Sequence, residues 1–358
     1  MPTQLLLHDV HLTDGAQIAA PCGLLLPMAY GDAAGEHRAV RTAVGVIDRS
    51  YSGLVEATGR DRAVFLNGML TNDVKSLAPG QGCGAAFLDA HGKVQSLLAV
   101  LACQDCLLMI VPGGTAARLV ELLDKFLFSE RVTLRDASAE SIRLMLAGPG
   151  TPALVERLAE VALPASAWHH AVGRIGDVAV RVVRGAGETG EPEAWLIAPS
   201  GNGASLWEKV RAGGARPVGL TALDALRVEA GTAWYGHDAD ERTLLPEVPF
   251  QKLVSDTKGC YIGQEVIVRI RDRGHVNRFL TGLTLDGDAV PQSGAPVVVA
   301  GQEVGRVTSA VWSFELGRPI ALAMVRREHG QPGAAVTVDA GGRSIPGQVI
   351  GLPFGTKA

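Results

Sequence analysis

The sequence predicts an α+β fold that ends in an all-β module, and three observations predict it. Glycine (44) and proline (19) are abundant while aromatics make up only 5%. That turn-rich composition favours short strands over a long helical bundle. Helical and strand periodicities alternate along the chain as far as about residue 275. After 276 the texture changes to short apolar runs broken by Gly or Pro, as in GQEVGRVTSAV and GAAVTVDAGGRSIPGQVIG, which reads as a barrel or sandwich.

Taken in order, residues 36–47 have helical spacing and residues 53–58 (GLVEAT) alternate like a strand. Residues 61–70 read as a helix with Val64, Phe65 and Met69 on one face. Two apolar runs around Gln104-Asp105 make a hairpin of residues 85–111, and 114–127 is an amphipathic helix. A strand from about 140, a helix at 151–161, strands at 176–183 and 194–198, and a helix at 203–212 follow, with 163–174 as a loose loop. The helix at 222–230 has Thr221 and Asp224 in capping-box positions and Gly231 as its stop.

At 358 residues the chain is long enough for two or three domains. Its 33 basic and 37 acidic residues give a formal charge of -4, which excludes a globally basic nucleic-acid coat protein. Five cysteines (Cys22, Cys83, Cys103, Cys106, Cys260) in such a length do not make a disulfide scaffold. The opening MPTQLLLHDVHLTDG lacks the unbroken apolar stretch of a signal peptide, and the longest uncharged run (15–31) contains Pro21 and Pro27. A soluble, cytoplasmic protein with no membrane partner is expected.

The segment Lys258-Gly259-Cys260-Tyr261-Ile262-Gly263-Gln264-Glu265 carries the most chemical information. A cysteine between two glycines, beside a lysine and just before a helix that Gly263 would open, has the setting of a lowered thiol pKa. The alternative is a small buried Cys in a tight turn. Cys260, with Lys258 and Gln264, forms the candidate catalytic group.

KGCYIGQE, followed by Arg269, Gly274 and Arg278, resembles the signature of the YgfZ family. Those folate-binding proteins are linked to iron–sulfur cluster maintenance and tRNA modification, and are related to the glycine-cleavage T-protein (aminomethyltransferase). The segments 15–30, 36–53, FLNGMLTNDV (65–74), DALRVEAG (224–231), WYGHD (234–238) and 301–325 resemble the T-protein along nearly the whole chain. The resemblance implies a three-domain ring around a cleft, with two interleaved α/β lobes (1–50 plus 140–245, and 51–139), a connecting segment (246–275) and a C-terminal barrel (276–358). It also implies tetrahydrofolate or a one-carbon derivative, possibly polyglutamylated, as ligand, with iron–sulfur proteins or their assembly factors as partners and tRNA only indirectly involved. Asn72, Tyr235, Trp195 and Glu193 are then candidate folate contacts.

One departure weighs against ordinary aminomethyl transfer. T-proteins carry an activating Asp in the stretch matching residues 92–97, and here no acidic residue lies between Asp89 and Asp105. Gln95 and Ser96 offer no useful general acid or base. Arg227 lies in the apolar stripe Leu223, Leu226, Ala230, so it needs an anionic partner. That partner is either an internal carboxylate or, as the resemblance implies, the glutamate tail of folate.

Three weaker signals remain. Cys103 and Cys106 form a CxxC, but no second ligand pair supports zinc, and the two flank a turn where they face each other. No metal site is expected. Gly148-Pro149-Gly150, with Ala153, has the outline of a dinucleotide loop, yet no parallel crossover is evident. The run from Arg269 to Arg278 could hold polyglutamate or an RNA backbone, or could simply be solvated. A folate-dependent one-carbon transferase and an RNA-binding protein therefore stand as alternatives to the folate-binding maintenance protein.

Overall fold

A computed structural model describes residues 2–21 and 23–355, so Cys22 lies outside the described residues. Contacts divide the chain into two units. One comprises Met1–Phe87, Ser96–Leu223 and Lys252–Tyr261; the other comprises Leu88–Gln95, Asp224–Gln251 and Ile262–Ala358.

The first unit is built on two principal sheets. The six-stranded sheet runs His170–Ile175, Val178–Arg184, Glu193–Pro199, Ser141–Ala147, Gly45–Asp48, Arg216–Pro217. Its strand Ser141–Ala147 is buried at every position and pairs antiparallel with both Glu193–Pro199 and Gly45–Asp48. Helices Thr151–Ala159 and Gly203–Ala212 cover it, and Leu154, Val155, Leu206, Trp207 and Val210 join Leu144, Leu146, Val180, Val182 and Leu196 in one core. The five-stranded sheet runs Gly82–Leu88, Val94–Ala102, Leu107–Val111, Gly53–Thr58, Thr133–Asp136. Its segment of chain thus interrupts the segment that forms the six-stranded sheet.

The second unit contains a closed six-stranded barrel in the order Arg278–Leu285, Arg318–Arg326, Gln302–Ser313, Pro296–Val299, Ala335–Asp339, Ser344–Ile350. Leu283, Val297, Val307, Ala323, Val336 and Val349 fill its interior. Helix Gln264–Arg273 precedes it. The α+β class and the C-terminal barrel are therefore as the sequence predicts. Among the described residues no helix is long and apolar enough to cross a membrane.

Several elements differ from their periodicity. The helix expected at 36–47 runs Ala33–Thr42, started by Asp32, whose carboxylate accepts from Ala34 N and Gly35 N. Residues Gly45–Asp48 are instead a strand, buried throughout. Gly45 has no room for a Cβ, which would stand 2.6 Å from Val40 and 2.7 Å from Val218. The 85–111 stretch is three strands rather than a single hairpin, with one turn at 89–93 and another at 103–106. Part of the loop expected at 163–174 is strand His170–Ile175, paired antiparallel with Val178–Arg184. That pairing excludes a parallel crossover after Gly148-Pro149-Gly150 and with it a dinucleotide loop. Helix Leu220–Glu229 starts before Thr221, so Thr221 and Asp224 are not its cap; Gly231, at φ +70°, does end it.

Candidate functional site

In the first unit, the segment after residue 251 is stitched to the segment 67–72 by backbone and side-chain bonds. Asn72 Nδ2 donates to Gly84 O at 2.8 Å and to Lys252 O at 3.4 Å. Thr71 Oγ1 donates to Leu253 O at 2.5 Å and accepts from Ala86 N at 2.8 Å, while Ser255 N donates to Thr71 O. Lys258 closes the set: its Nζ donates to Asn67 O and, at 2.6 Å, to Leu70 O. These carbonyls lie at the C-terminal end of helix Arg62–Met69, where the helix dipole favours a cation. The ammonium also sits 5.0 Å from the centre of the buried Tyr261 ring. Burial lowers the Lys258 pKa to about 8, against the opposing pull of Asp73.

Lys258 is therefore an anchor for the motif, its ammonium held by the carbonyls of Asn67 and Leu70. Its charge reaches Cys83, a thiol that burial and then Asp73 push up to about 12. Cys260 is an exposed free thiol, rather than one packed in a tight turn. Three residues on, Gly263 (φ +80°) opens helix Gln264–Arg273, as expected, with Gln264 as its first residue.

In the second unit, a Cβ on Gly263 would lie 2.5 Å from Asp89 O and 3.2 Å from Gly92 Cα. The turn 89–93 is thus packed against the start of this helix. Asp89 folds that turn: its Oδ1 accepts from His91 N at 2.8 Å and Lys93 N at 2.9 Å. The nearest carboxylate before the acid-free stretch is committed to its own loop. Beyond it, Gln95 is half-buried, and Ser96, in the other unit, is 1% exposed with its Oγ lacking a partner among the described residues.

Arg227 corrects the sequence expectation of a folate-tail ligand. It is 1% exposed and is held by the chain itself. Nε donates to Asp224 at 2.7 Å, Nη1 to Asp238 at 2.6 Å and Thr232 O at 3.2 Å, and Nη2 to Ser309 at 2.7 Å. The guanidinium lies 4.4 Å from the Trp234 ring centre. Asp238 is the organising anion; it also accepts from Trp234 N, Thr308 Oγ1 and Ser309 Oγ. Sequence reasoning passed over it, although it closes the quoted WYGHD segment. Tyr235, in the same turn, is half-buried.

Back in the first unit, Glu193 and Trp195 are interior residues, 1% and 3% exposed. Glu193 accepts from Gly187 N, Thr189 N and Thr189 Oγ1, shaping the loop before its strand. Burial, then the nearby Glu188, raises its carboxyl pKa. Arg49 lies 5.0 Å from the Trp195 ring centre, and its Nη1 donates to both oxygens of Glu188 at 2.9 Å. Asn72, Glu193 and Arg227 thus have their polar groups engaged internally, and Trp195 is covered. These four do not fit a folate in the arrangement described.

The arginine run is partly paired. Arg271 bonds Asp272, and Arg278 bonds Glu247 at 3.0 and 3.2 Å. Arg269 and Arg273, both exposed, line a cavity of about 510 Å³ with His91, Val266, Ile270 and His275.

Comparison with known proteins shows what shares this architecture. Residues 7–258 match the GCVT N-terminal domain, and residues 278–355 match the glycine cleavage T-protein C-terminal barrel domain. An aminomethyltransferase of Streptomyces avermitilis is 30% identical, covering 99% of this chain and 97% of that one. Those of Picosynechococcus sp. and Rubrobacter xylanophilus are each 31% identical over 97% of this chain, covering 96% and 93% of theirs. The crystal structure of aminomethyltransferase T of the glycine cleavage system from Bartonella henselae, 23% identical, superposes with a TM-score of 0.89 over 99% of this chain and 98% of that one. With both domain models matched in order and relatives aligned almost end to end, this chain belongs to the glycine cleavage T-protein family and has its fold.

Proposed function

We propose that this protein binds a reduced folate, tetrahydrofolate or a one-carbon derivative of it, and acts on the folate's one-carbon unit. The observation that carries the reading is the end-to-end match to relatives named aminomethyltransferase, at 30–31% identity over 97–99% of the chain. A folate-dependent one-carbon transferase of the aminomethyltransferase type is the form those relatives favour. Its test is an assay with the aminomethyl-loaded lipoyl carrier and tetrahydrofolate. Formation of methylenetetrahydrofolate supports transfer, and its absence in a folded protein that still binds folate removes it.

A second reading has specific observations in its favour. KGCYIGQE with an exposed Cys260, and no acid between Asp89 and Asp105, suit a YgfZ-type folate-binding protein of the cytoplasm that supports iron–sulfur proteins and, through them, tRNA modification. Asp89, the acid nearest that stretch, is tied into its turn, so proton transfer to a folate nitrogen has no evident carboxylate there. This reading predicts folate binding without transfer, and loss of iron–sulfur enzyme activity in cells lacking the protein. Under either reading Arg227, Asn72 and Glu193 hold the fold through their internal bonds, and Trp195 is covered.

A further inference from the structure

Cys103 and Cys106 stand at the two ends of a hairpin turn in the first unit. The strands Val94–Ala102 and Leu107–Val111 pair Ala102 with Leu107, so Cys103 and Cys106 are the next opposed pair. Cys103 N donates to Cys106 O at 2.9 Å, one of the two bonds that mark a hydrogen-bonded position of an antiparallel ladder. Such Cα atoms lie about 5.5 Å apart, inside the roughly 4.4–6.8 Å that disulfides span. Opposed residues project to the same face, and the titrations of the two thiols are tied to each other. Both are only half-buried, on either side of the exposed Gln104 and Asp105.

The surroundings distinguish the two sulfurs. The hydrogen bond from Cys106 lowers the Cys103 thiol to about 7 against the cost of burial, aided by Arg181 and Arg62 and opposed by Glu56; Cys106 is raised in turn. Arg181 Nη1 donates to His170 Nδ1 at 2.9 Å, and His170 Nε2 donates to Ala102 O at 3.0 Å. Arg62 Nη2 donates to Gln104 O at 3.2 Å. Both cations are thereby fixed around the turn. A metal role finds no support: among the described residues no three His, Cys, Asp or Glu side chains gather into a metal site, and two sulfurs alone do not complete a zinc centre.

We propose that Cys103 and Cys106 are a redox-active pair that closes reversibly into a disulfide by exchange with a low-molecular-weight disulfide. The Cys103 thiolate attacks one sulfur of the small disulfide, forming a mixed disulfide and expelling one thiolate. Cys106 then gives up its proton and attacks Cys103 Sγ, and the second small thiolate leaves and is protonated. Two protein thiols are oxidised and one small disulfide is reduced to two thiols.

The test is to equilibrate the full chain with glutathione buffers of graded redox ratio, quench in acid, alkylate, and map the cysteines by mass spectrometry. The expected result is one two-electron transition, with the peptide spanning both cysteines losing two hydrogens. Cys106→Ser should stop at a glutathione adduct on Cys103, while Cys103→Ser should leave Cys106 largely reduced. A Cys83→Ser/Cys260→Ser variant should keep the transition unchanged. Three results would overturn the proposal: a pair still reduced in oxidised glutathione alone while circular dichroism shows native protein, a disulfide from either cysteine to Cys260 or to a second chain, or equal adduct formation in the two single variants.

Discussion

The buried Arg227 gives the most searching prediction. Arg227→Ala removes the guanidinium from Asp238, whose side chain is 0% exposed, and leaves that carboxylate without its counter-charge. Breaking a buried pair by removing one partner costs about 3–5 kcal/mol. Asp238 keeps Trp234 N, Thr308 Oγ1 and Ser309 Oγ as donors, which places the loss near about 3 kcal/mol. The second ion pair, to Asp224, adds little because that side chain is 35% exposed. With a urea dependence of about 3 kcal/mol per molar, the unfolding midpoint of the second unit should fall by about 1 M. Arg227→Met/Asp238→Asn, which removes both charges and keeps an acceptor for Thr308 Oγ1 and Ser309 Oγ while giving up the one for Trp234 N, should recover part of that loss. The readouts are urea unfolding followed by circular dichroism and calorimetric titration with tetrahydrofolate. A variant that unfolds at the wild-type midpoint yet no longer binds folate would overturn this assignment and restore Arg227 as a ligand residue.

Three further outcomes are expected. Gly263→Ala should destabilise by about 1–3 kcal/mol in thermal unfolding, because φ is +80° and its Cβ would lie 2.5 Å from Asp89 O; a change within about 0.5 kcal/mol would contradict that packing. The Lys258 pKa is lowered to about 8 in the fold from 10.5, so the unfolded chain holds the proton longer. Stability should rise as pH passes from about 8 to about 10.5, by about 1 kcal/mol after water screening of a half-exposed group, and Lys258→Met should abolish that rise. Cys260→Ser should leave stability within about 0.5 kcal/mol and remove a thiol that iodoacetamide reaches well before Cys83, which burial pushes up to about 12.

Much of the architecture is legible in the sequence because local and tertiary preferences agree. GLVEAT forms the strand Gly53–Thr58, the helix expected at 203–212 is Gly203–Ala212, and the Gly-punctuated tail closes as a barrel. The misses have common causes. Gly45–Asp48 continues a helical pattern, but burial throughout and close contact with Val218 select a strand. His170–Ile175 (HAVGRI) has its apolar residues interrupted by the adjacent Gly173 and Arg174, which hides an edge strand. At the candidate site, the sequence singled out residues without showing their partners. Lys258 reaches back to the carbonyls of Asn67 and Leu70. Arg227 meets Asp238 beyond the end of its own helix and Ser309 in a strand of the barrel. Contacts between residues so far apart in the chain leave no trace in periodicity or in a short motif.

Folate binding itself is tested most directly by calorimetric titration of tetrahydrofolate into the reduced full-length protein. Saturable binding of one folate per chain is expected, retained by any Arg227 variant that stays folded. No binding to folded protein across the accessible folate range would contradict it.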